Sequence, residues 1–205
     1  FQLEDWVSKR LKHDNLMQCY PHNTEKKYLF QCYEYLQGET LAQWLHRQEK
    51  PLNLDEILPI LQQTALALNA MHRLEMLHQD IRPKNIMVIN AENAMKIKLI
   101  DYGSTAVRGL VEINPKNANR ALGTLAFMAP EYFIDHSPSV HSDQFSLAVM
   151  AYYLFTKQLP YGTDLARCNS LKQMKKVQYH SIRKYRPDLP IWLDKILGQA
   201  LSIEP

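Results

Sequence analysis

The sequence predicts an α+β fold that is mainly helical and carries one β-hairpin near its middle. Residues 54–71 place apolar side chains at helical spacing, and residues 142–155 are apolar on nearly every side, as expected for a buried helix. Between them, residues 86–89 and 95–100 form short apolar or alternating runs on either side of a turn-like segment. Such a pair of runs predicts two antiparallel strands.

The helix predicted from residue 54 has a clear signal at its start. Asn53 and Glu56 have the spacing of a reciprocal N-cap pair. Pro59 lies inside the helical pattern and is expected to kink the helix or to delay its regular part. Two further elements are predicted: a helix over residues 3–12 and an aromatic-rich strand over residues 28–36.

The composition is that of a globular chain with a sizeable core. The chain has 205 residues, of which 46% are hydrophobic, and this length allows one domain or two small ones. The net charge is only +3, and the clearest basic cluster, residues 172–176, lies in a polar helical stretch. The sequence therefore does not indicate nucleic-acid binding.

Cysteine usage and hydropathy favour a cytoplasmic location. The three cysteines are widely spaced and form no C-x-x-C pair, which is typical of reduced thiols and not of a disulfide framework or a zinc site. No apolar run approaches the roughly 20 residues that cross a bilayer, and the first residues do not resemble a signal peptide. We expect no membrane contact from this chain.

Four polar side chains cluster around the predicted hairpin. Because the start of the first strand lies beside the end of the second in an antiparallel pair, Asn85 and Asp101 are expected to meet at one mouth. Their oxygen atoms suit Mg²⁺, which takes one or two protein carboxylates and completes its shell with water and phosphate. Asp80 precedes the hairpin and could accept a proton from an incoming hydroxyl, with the cation of Arg82 close by.

Three motifs carry a resemblance to a known family. Residues 78–85, His-Gln-Asp-Ile-Arg-Pro-Lys-Asn, resemble the catalytic loop H-R-D-L-x-x-x-N of protein kinases, residues 101–103 resemble D-F-G, and residues 129–131 are A-P-E. Their order and separations also fit. The chain therefore resembles the protein kinase superfamily, serine/threonine type, over nearly its whole length.

A narrower resemblance rests on a few local phrases, among them Leu-His-Gln-Asp-Ile-Arg-Pro-Lys-Asn. They are similar to bacterial proteins that join a serine/threonine kinase domain to a metal-dependent phosphatase domain. No part of this chain corresponds to the phosphatase, which the resemblance would place elsewhere in the parent protein.

The resemblance implies a protein-kinase-like fold in two parts. Residues 1–36 would be a remnant of the N-lobe, with the end of helix αC, the last strands and the hinge. Residues 37–205 would be the mainly helical C-lobe, truncated before its last helix. Neither a glycine-rich phosphate loop nor a V-A-I-K-type lysine precedes Glu4. We therefore expect the chain alone to be inactive and the parent protein to supply those parts.

The resemblance also implies roles in phosphate transfer. Asp80 would orient and deprotonate the acceptor, Arg82 would neutralise charge on the γ-phosphate, and the hydroxyl of Thr124 would bond the catalytic aspartate. Asn85 and Asp101 would hold Mg²⁺. The implied reaction moves the γ-phosphoryl group of ATP to a serine or threonine hydroxyl of a protein substrate.

Other residues would bind the nucleotide. Glu4 would pair with the strand lysine, and the backbone carbonyl of Glu34 and the backbone amide of Leu36 would bond the adenine edge. Met87 would also belong to the nucleotide site.

A third group would support the loop structurally: His78, Glu131 and Asp143. Asp143 would receive backbone amides from the catalytic loop, or it would cap its own helix. The usual arginine partner of Glu131 would lie about three residues beyond residue 205.

Two departures from the family bear on regulation and specificity. Gln79 replaces the arginine that grips an activating phosphate, and residues 107–122 contain no serine, threonine or tyrosine. We therefore expect activity not to require phosphorylation in the middle of that segment. Lys84 stands where kinases that prefer basic peptides carry a glutamate, so we expect no strong preference for arginine before the acceptor.

Two other functions stay open from the sequence. One is a pseudokinase that acts as a binding scaffold. The other is a small-molecule phosphotransferase of the aminoglycoside-kinase type, which shares an H-x-D-x-x-x-x-N loop.

Overall fold

The computed structural model describes residues 2–21, 28, 30–91, 94–108, 125–133 and 137–203. The helices in this part are α1 Gln2–Ser8, α2 Leu41–His46, α3 Leu54–His72, α4 Val140–Thr156, α5 Leu171–Met174 and α6 Ile191–Ala200. The strands are β1 Cys19–Tyr20, β2 Cys32–Tyr33, β3 Glu39–Thr40, β4 Met76–Leu77, β5 Ile86–Ala91, β6 Ala94–Leu99 and β7 Ala106–Val107. The mainly helical α+β class predicted from the sequence is confirmed.

The two long helices begin at side-chain caps. Asn53 caps α3, and its side chain and that of Glu56 each accept a hydrogen bond from the other's backbone, which is the predicted capping box. Helix α3 continues through Pro59. Helix α4 begins earlier than predicted, because Ser139 is its N-cap and forms a capping box with Ser142. Asp143 therefore does not cap its own helix, which frees its carboxylate for other partners.

The predicted hairpin forms between β5 and β6. Its strands pair antiparallel from Ile86 opposite Leu99 to Ala91 opposite Ala94, so both strands run further toward the turn than predicted. Strand β3 adds to the outer edge of β5. Gly38 precedes β3, and a Cβ atom there would lie 2.1 Å from the backbone oxygen of Val88. Only glycine lets the chain approach the hairpin this closely.

The core lies where the hairpin and α4 pack against α3. Alternate hairpin residues, Ile86, Val88, Ile97 and Leu99, are at most 1% exposed. In α4 the aromatic rings of Tyr152 and Phe155 are also buried, in agreement with its nearly all-round apolar sequence. This core holds the two ends of the hairpin and the start of α4 in fixed relation, and the polar residues of interest project from these elements.

One predicted strand is longer than the strand in the structure. The segment 28–36 was predicted as a strand, but its described residues contain only the two-residue strand β2, paired with β1. A two-residue ladder gives little room for alternation, so local propensity overstates the strand here. Within the described ranges, none of the helices has the length and apolar content needed to span a bilayer.

Candidate active site

The loop before the hairpin is held in place by hydrogen bonds to one buried carboxylate, that of Asp143. Asp143 is fully buried, and its two oxygens accept hydrogen bonds from the backbone N–H groups of His78 and Gln79, each at 2.9 Å. Nε2 of His72 lies 2.8 Å from Oδ2 of the same carboxylate. These bonds fix the loop although Gln79 has a φ of 65°, a left-handed conformation that is unfavourable for a residue with a side chain.

Asp80 projects from this loop with two side-chain partners. Its Oδ2 accepts a hydrogen bond from Nδ2 of Asn85 at 2.8 Å, and its Oδ1 lies 3.2 Å from Nε of Arg82. The Asp80 side chain is 11% exposed, so it remains accessible at one edge. The same amide nitrogen of Asn85 donates to the backbone oxygen of Asp80 at 2.8 Å. The orientation of this carboxylate is therefore set by two contacts from residues of the same loop, and the bond from Asn85 to the backbone oxygen fixes the main chain beside it.

The two ends of the hairpin bring Asn85 and Asp101 to one side. The backbone oxygen of Asn85 accepts a hydrogen bond from Ile100 at 2.9 Å, which places Asp101 one residue from that contact. Asp101 has a φ of 67°, and its Oδ1 accepts the N–H of Gly103 at 3.1 Å. Asp101 is exposed, whereas Asn85 is buried. The hairpin register therefore places the two residues at the same end of the hairpin, and their joint role toward a metal stays a prediction.

The rings of His78 and Tyr102 pack against each other where the loop meets residues 100–102. The rings contact edge to face at 6.3 Å, and Nε2 of His78 lies 3.3 Å from the backbone oxygen of Ile100. Burial lowers the pKa of His78 against the opposing pull of Asp143 and other nearby carboxylates. The hydroxyl of Tyr102 donates toward the backbone oxygen of Met17 at 3.0 Å, which ties residues 101–103 to the N-terminal segment.

Glu4 faces the same region from α1. A Cβ atom on Gly103 would lie 3.2 Å from Oδ1 of Asp101 and 4.0 Å from Oε2 of Glu4, so both carboxylates border Gly103. The hydroxyl of Tyr33 lies 3.4 Å from Oε1 of Glu4. Burial, the main cause, raises the pKa of Tyr33 to about 12. The Tyr33 hydroxyl donates to Oε1 of Gln31 at 2.8 Å, so Glu4 is only its more distant second acceptor.

The residues predicted to bind adenine lie in β5 and in the segment that follows β2. Glu34 uses its side chain to bind the ammonium group of Lys98, and the same oxygen accepts the backbone N–H of Gln18 at 2.7 Å. Met87 lies opposite Lys98 in the hairpin and shares its face of the sheet, the face opposite the core. Leu36 is half-buried just after Glu34. Their role in binding a nucleotide stays a prediction.

Two predicted residues lie further along the chain. Glu131 follows Pro130, and its carboxylate accepts a hydrogen bond from the hydroxyl of Ser142, in the first turn of α4. Thr124 lies outside the described residues. The structure thus brings together His78, Asp80, Arg82, Asn85, Asp101 and Asp143 around one loop, and it places Glu4 beside Gly103.

Sequence reasoning missed the ion pair between Lys98 and Glu34. The alternation of residues 95–100 is a signal that could have placed Lys98 on the face of the strand opposite Ile97 and Leu99. Its partner could not be found in the same way, because the strand predicted over residues 28–36 has no sequence signal that sets its register against the hairpin.

The comparisons with known proteins agree with this arrangement. A model of the protein kinase domain family matches residues 2–204. The chain is 25% identical to the serine/threonine-protein kinase PrkC of Bacillus subtilis over 205 residues, which are 100% of this chain and 31% of PrkC. It is 30% identical to the serine/threonine-protein kinase pkn3 of Myxococcus xanthus over 211 aligned residues, which are 100% of this chain and 38% of pkn3.

A solved structure is similar as well. The crystal structure of the PknI kinase domain of Mycobacterium tuberculosis superposes with a TM-score of 0.71 and 25% identity, covering 100% of this chain and 71% of that one. The chain spans about a third of the length of the curated relatives named above. The chain therefore belongs to the protein kinase domain family.

Proposed function

We propose that this chain forms the phosphotransfer core of a protein kinase that moves the γ-phosphoryl group of ATP to a serine or threonine hydroxyl. The observation that carries the proposal is the position of Asp80. Its carboxylate contacts Asn85 and Arg82 and is accessible at one edge. The loop that carries it is fixed by hydrogen bonds from its backbone to Asp143. A fixed, accessible carboxylate is what is needed to position a hydroxyl and accept its proton.

The residues at the end of the hairpin are suited to Mg²⁺. The amide nitrogen of Asn85 is committed to Asp80, which leaves its amide oxygen as a donor for a metal. Asp101 uses one carboxylate oxygen for Gly103 and is exposed. Among the described residues no group of three or more histidine, cysteine or acidic side chains could hold a metal alone. Magnesium needs only one or two protein carboxylates when phosphate and water complete its shell.

The chemistry would then be divided between these residues. Asp80 would orient the acceptor hydroxyl and take its proton as the new bond to phosphorus forms. Arg82 would keep Asp80 oriented and add positive charge near the transferred phosphoryl group. A magnesium ion held by Asn85 and Asp101 would neutralise charge on the phosphates. Thr124 is proposed to bond the Asp80 carboxylate.

The nucleotide would lie against the outer face of the hairpin. Met87 would contact the adenine ring, and the Glu34 carbonyl and Leu36 amide would bond its edge. Glu4 would accept the strand lysine that this family uses to hold phosphates. We further propose a cytoplasmic location, which the three free cysteines Cys19, Cys32 and Cys168 support. A phosphatase domain in the parent protein stays a prediction.

The test is phosphate transfer by the full-length protein with labelled ATP and Mg²⁺. Replacing Asp80 by Asn should lower transfer by about 10²–10⁴-fold while Mg²⁺-dependent ATP binding, measured by thermal shift, is retained. The matched control is Lys172→Glu, an exposed position on α5 that should leave transfer unchanged. A fully active Asp80→Asn variant would overturn the assignment.

The same assay separates the alternatives. ATP binding without transfer to any acceptor would favour the pseudokinase scaffold. Transfer to an amino-sugar but not to a protein would favour the small-molecule phosphotransferase, which the curated kinase relatives speak against.

A further inference from the structure

A pocket of about 450 Å³ opens beside the catalytic loop, and its described lining includes none of the residues proposed to bind Mg²⁺ or adenine. Arg82, Pro83 and Lys84 form one wall, α2 a second, and the end of α4 a third. Because Arg82 touches Asp80, the pocket begins next to the carboxylate proposed to position the acceptor. A polypeptide whose hydroxyl reached Asp80 would therefore place neighbouring residues in this pocket.

The charged residues in the described lining of the pocket are all basic. Its described lining residues include Arg82, Lys84 and Lys157 and no aspartate or glutamate. Arg82 is paired with Asp80, so Lys84 and Lys157 supply the positive charge of the lining. Lys84 is exposed and makes no ion pair within the described ranges. Nζ of Lys157 donates to the neutral backbone oxygen of Gln48 at 2.9 Å, so this contact does not compensate its charge. Cations gathered around a concave apolar surface attract anionic groups and repel basic ones.

The floor of the pocket is apolar. The rings of Phe127 and Tyr153 meet edge to face at 5.6 Å, and both are half-buried. Leu45 on α2 is a buried residue of the same lining. Tyr153 projects from α4, the rigid helix that also supplies Asp143, so the pocket and the catalytic loop share one support. Such a floor accommodates an aliphatic or aromatic side chain.

We propose that this pocket selects the substrate: a protein segment that carries an apolar side chain and anionic groups, carboxylate or phosphate, within a few residues of its serine or threonine acceptor. This inference rests on the proposed function, because it takes Asp80 as the acceptor's position. It goes beyond the expectation that arginine is not preferred, since it assigns a positive selection for negative charge.

The first experiment measures binding without catalysis. Fluorescent peptides in which alanine replaces the acceptor keep one leucine and differ only in the flanking residues, which are glutamate, phosphoserine, alanine or arginine. With the full-length protein, fluorescence anisotropy should give dissociation constants about tenfold lower for the anionic peptides than for the alanine peptide. The arginine peptide should bind most weakly. Two favourable partly exposed ion pairs are enough for a tenfold difference.

The second experiment uses charge-reversed variants of the same protein. Lys84→Glu and Lys157→Glu together should abolish the preference for glutamate and phosphoserine and raise the KM for anionic peptides with a serine acceptor by at least tenfold. Lys172→Glu, also at an exposed position but not among the lining residues of the pocket, should keep the wild-type order. Circular dichroism checks that the variants are folded. A larger gain with phosphoserine than with glutamate would identify phosphate as the preferred anion, and equal gains would identify carboxylate as sufficient.

The outcomes distinguish this inference from the function on which it rests. Equal binding and equal phosphorylation of all four peptide types, or an unchanged order in the double variant, would overturn the inference and leave the kinase proposal intact. If no serine peptide and no protein accepts phosphate, the proposed function fails. Selective binding of anionic peptides would then identify the pocket as an anion-selective docking site without phosphotransfer, which contradicts the substrate role proposed here.

Discussion

Oδ1 of Asp143 accepts the backbone N–H of Gln79 at 2.9 Å, across 64 positions of sequence. Gln79 lies in the left-handed region, where a side chain costs about 1–3 kcal/mol when no contacts enforce it. The second Asp143 oxygen bonds His78, so one buried carboxylate holds two consecutive amides. Helix α4 thereby determines the path of the loop that carries Asp80.

Removing the Asp143 carboxylate should destabilise the protein and misplace the loop. Asp143→Ala leaves two buried N–H groups without an acceptor, and we expect a loss of about 3–5 kcal/mol in the free energy of unfolding. Asp143→Asn keeps one acceptor oxygen and should lose less. Urea denaturation measures both, with Gln144→Ala as the control because Gln144 is the exposed neighbour on the same helix. An Asp143→Ala loss no larger than that of the control would show that the two amide bonds do not stabilise the loop.

The buried His78 should make stability fall in mild acid. Its pKa is lowered in the folded state, mainly by burial, from the ordinary value of 6.5. Below about pH 6.5 the unfolded chain therefore binds a proton at His78, whereas the folded chain does not. The contribution of His78 to stability is complete above about pH 6.5 and declines as the pH falls toward the lowered folded-state pKa, by up to about 1.4 kcal/mol per pH unit.

Urea denaturation from pH 8 to pH 5 tests this in wild type and His78→Gln, which does not titrate in this range. The wild type should lose more stability on acidification than the variant does. His141→Gln provides the control for the removal of an exposed histidine. Parallel stability curves for wild type and His78→Gln would contradict the prediction.

The ion pair between Lys98 and Glu34 should couple the hairpin to the segment after β2. The side chains are only 10% and 19% exposed, and removing one partner leaves the other poorly solvated. We expect Lys98→Met to lower the free energy of unfolding by about 2–3 kcal/mol. This loss is toward the lower end of the cost of leaving a buried charge without its partner. Adding Glu34→Gln should cost less in the Lys98→Met background than in wild type. A double-mutant cycle measures the difference, and additive losses would mean that the pair contributes no coupling.

Much of the loop and hairpin could be predicted from local pattern. Residues 86–89 and 95–100 show strand periodicity, and the register that follows brings Asn85 beside Ile100 and Asp101 next to it. The capping box at Asn53 was likewise readable, because its two members lie three positions apart. The strand over residues 28–36 was overestimated, since aromatic content alone does not determine how long a pairing continues.

The sequence by itself determined the elements and contacts that depend on near neighbours: α3, the hairpin, and the polar residues carried by both. Only the tertiary structure decided that Asp143 binds His78 and Gln79 instead of capping α4, that Glu34 meets Lys98, and that Lys84 and Lys157 border one pocket. The physical reason is range. Periodicity and capping act over a few residues, whereas these contacts join segments 64 or more positions apart, which only the packing of the core brings together.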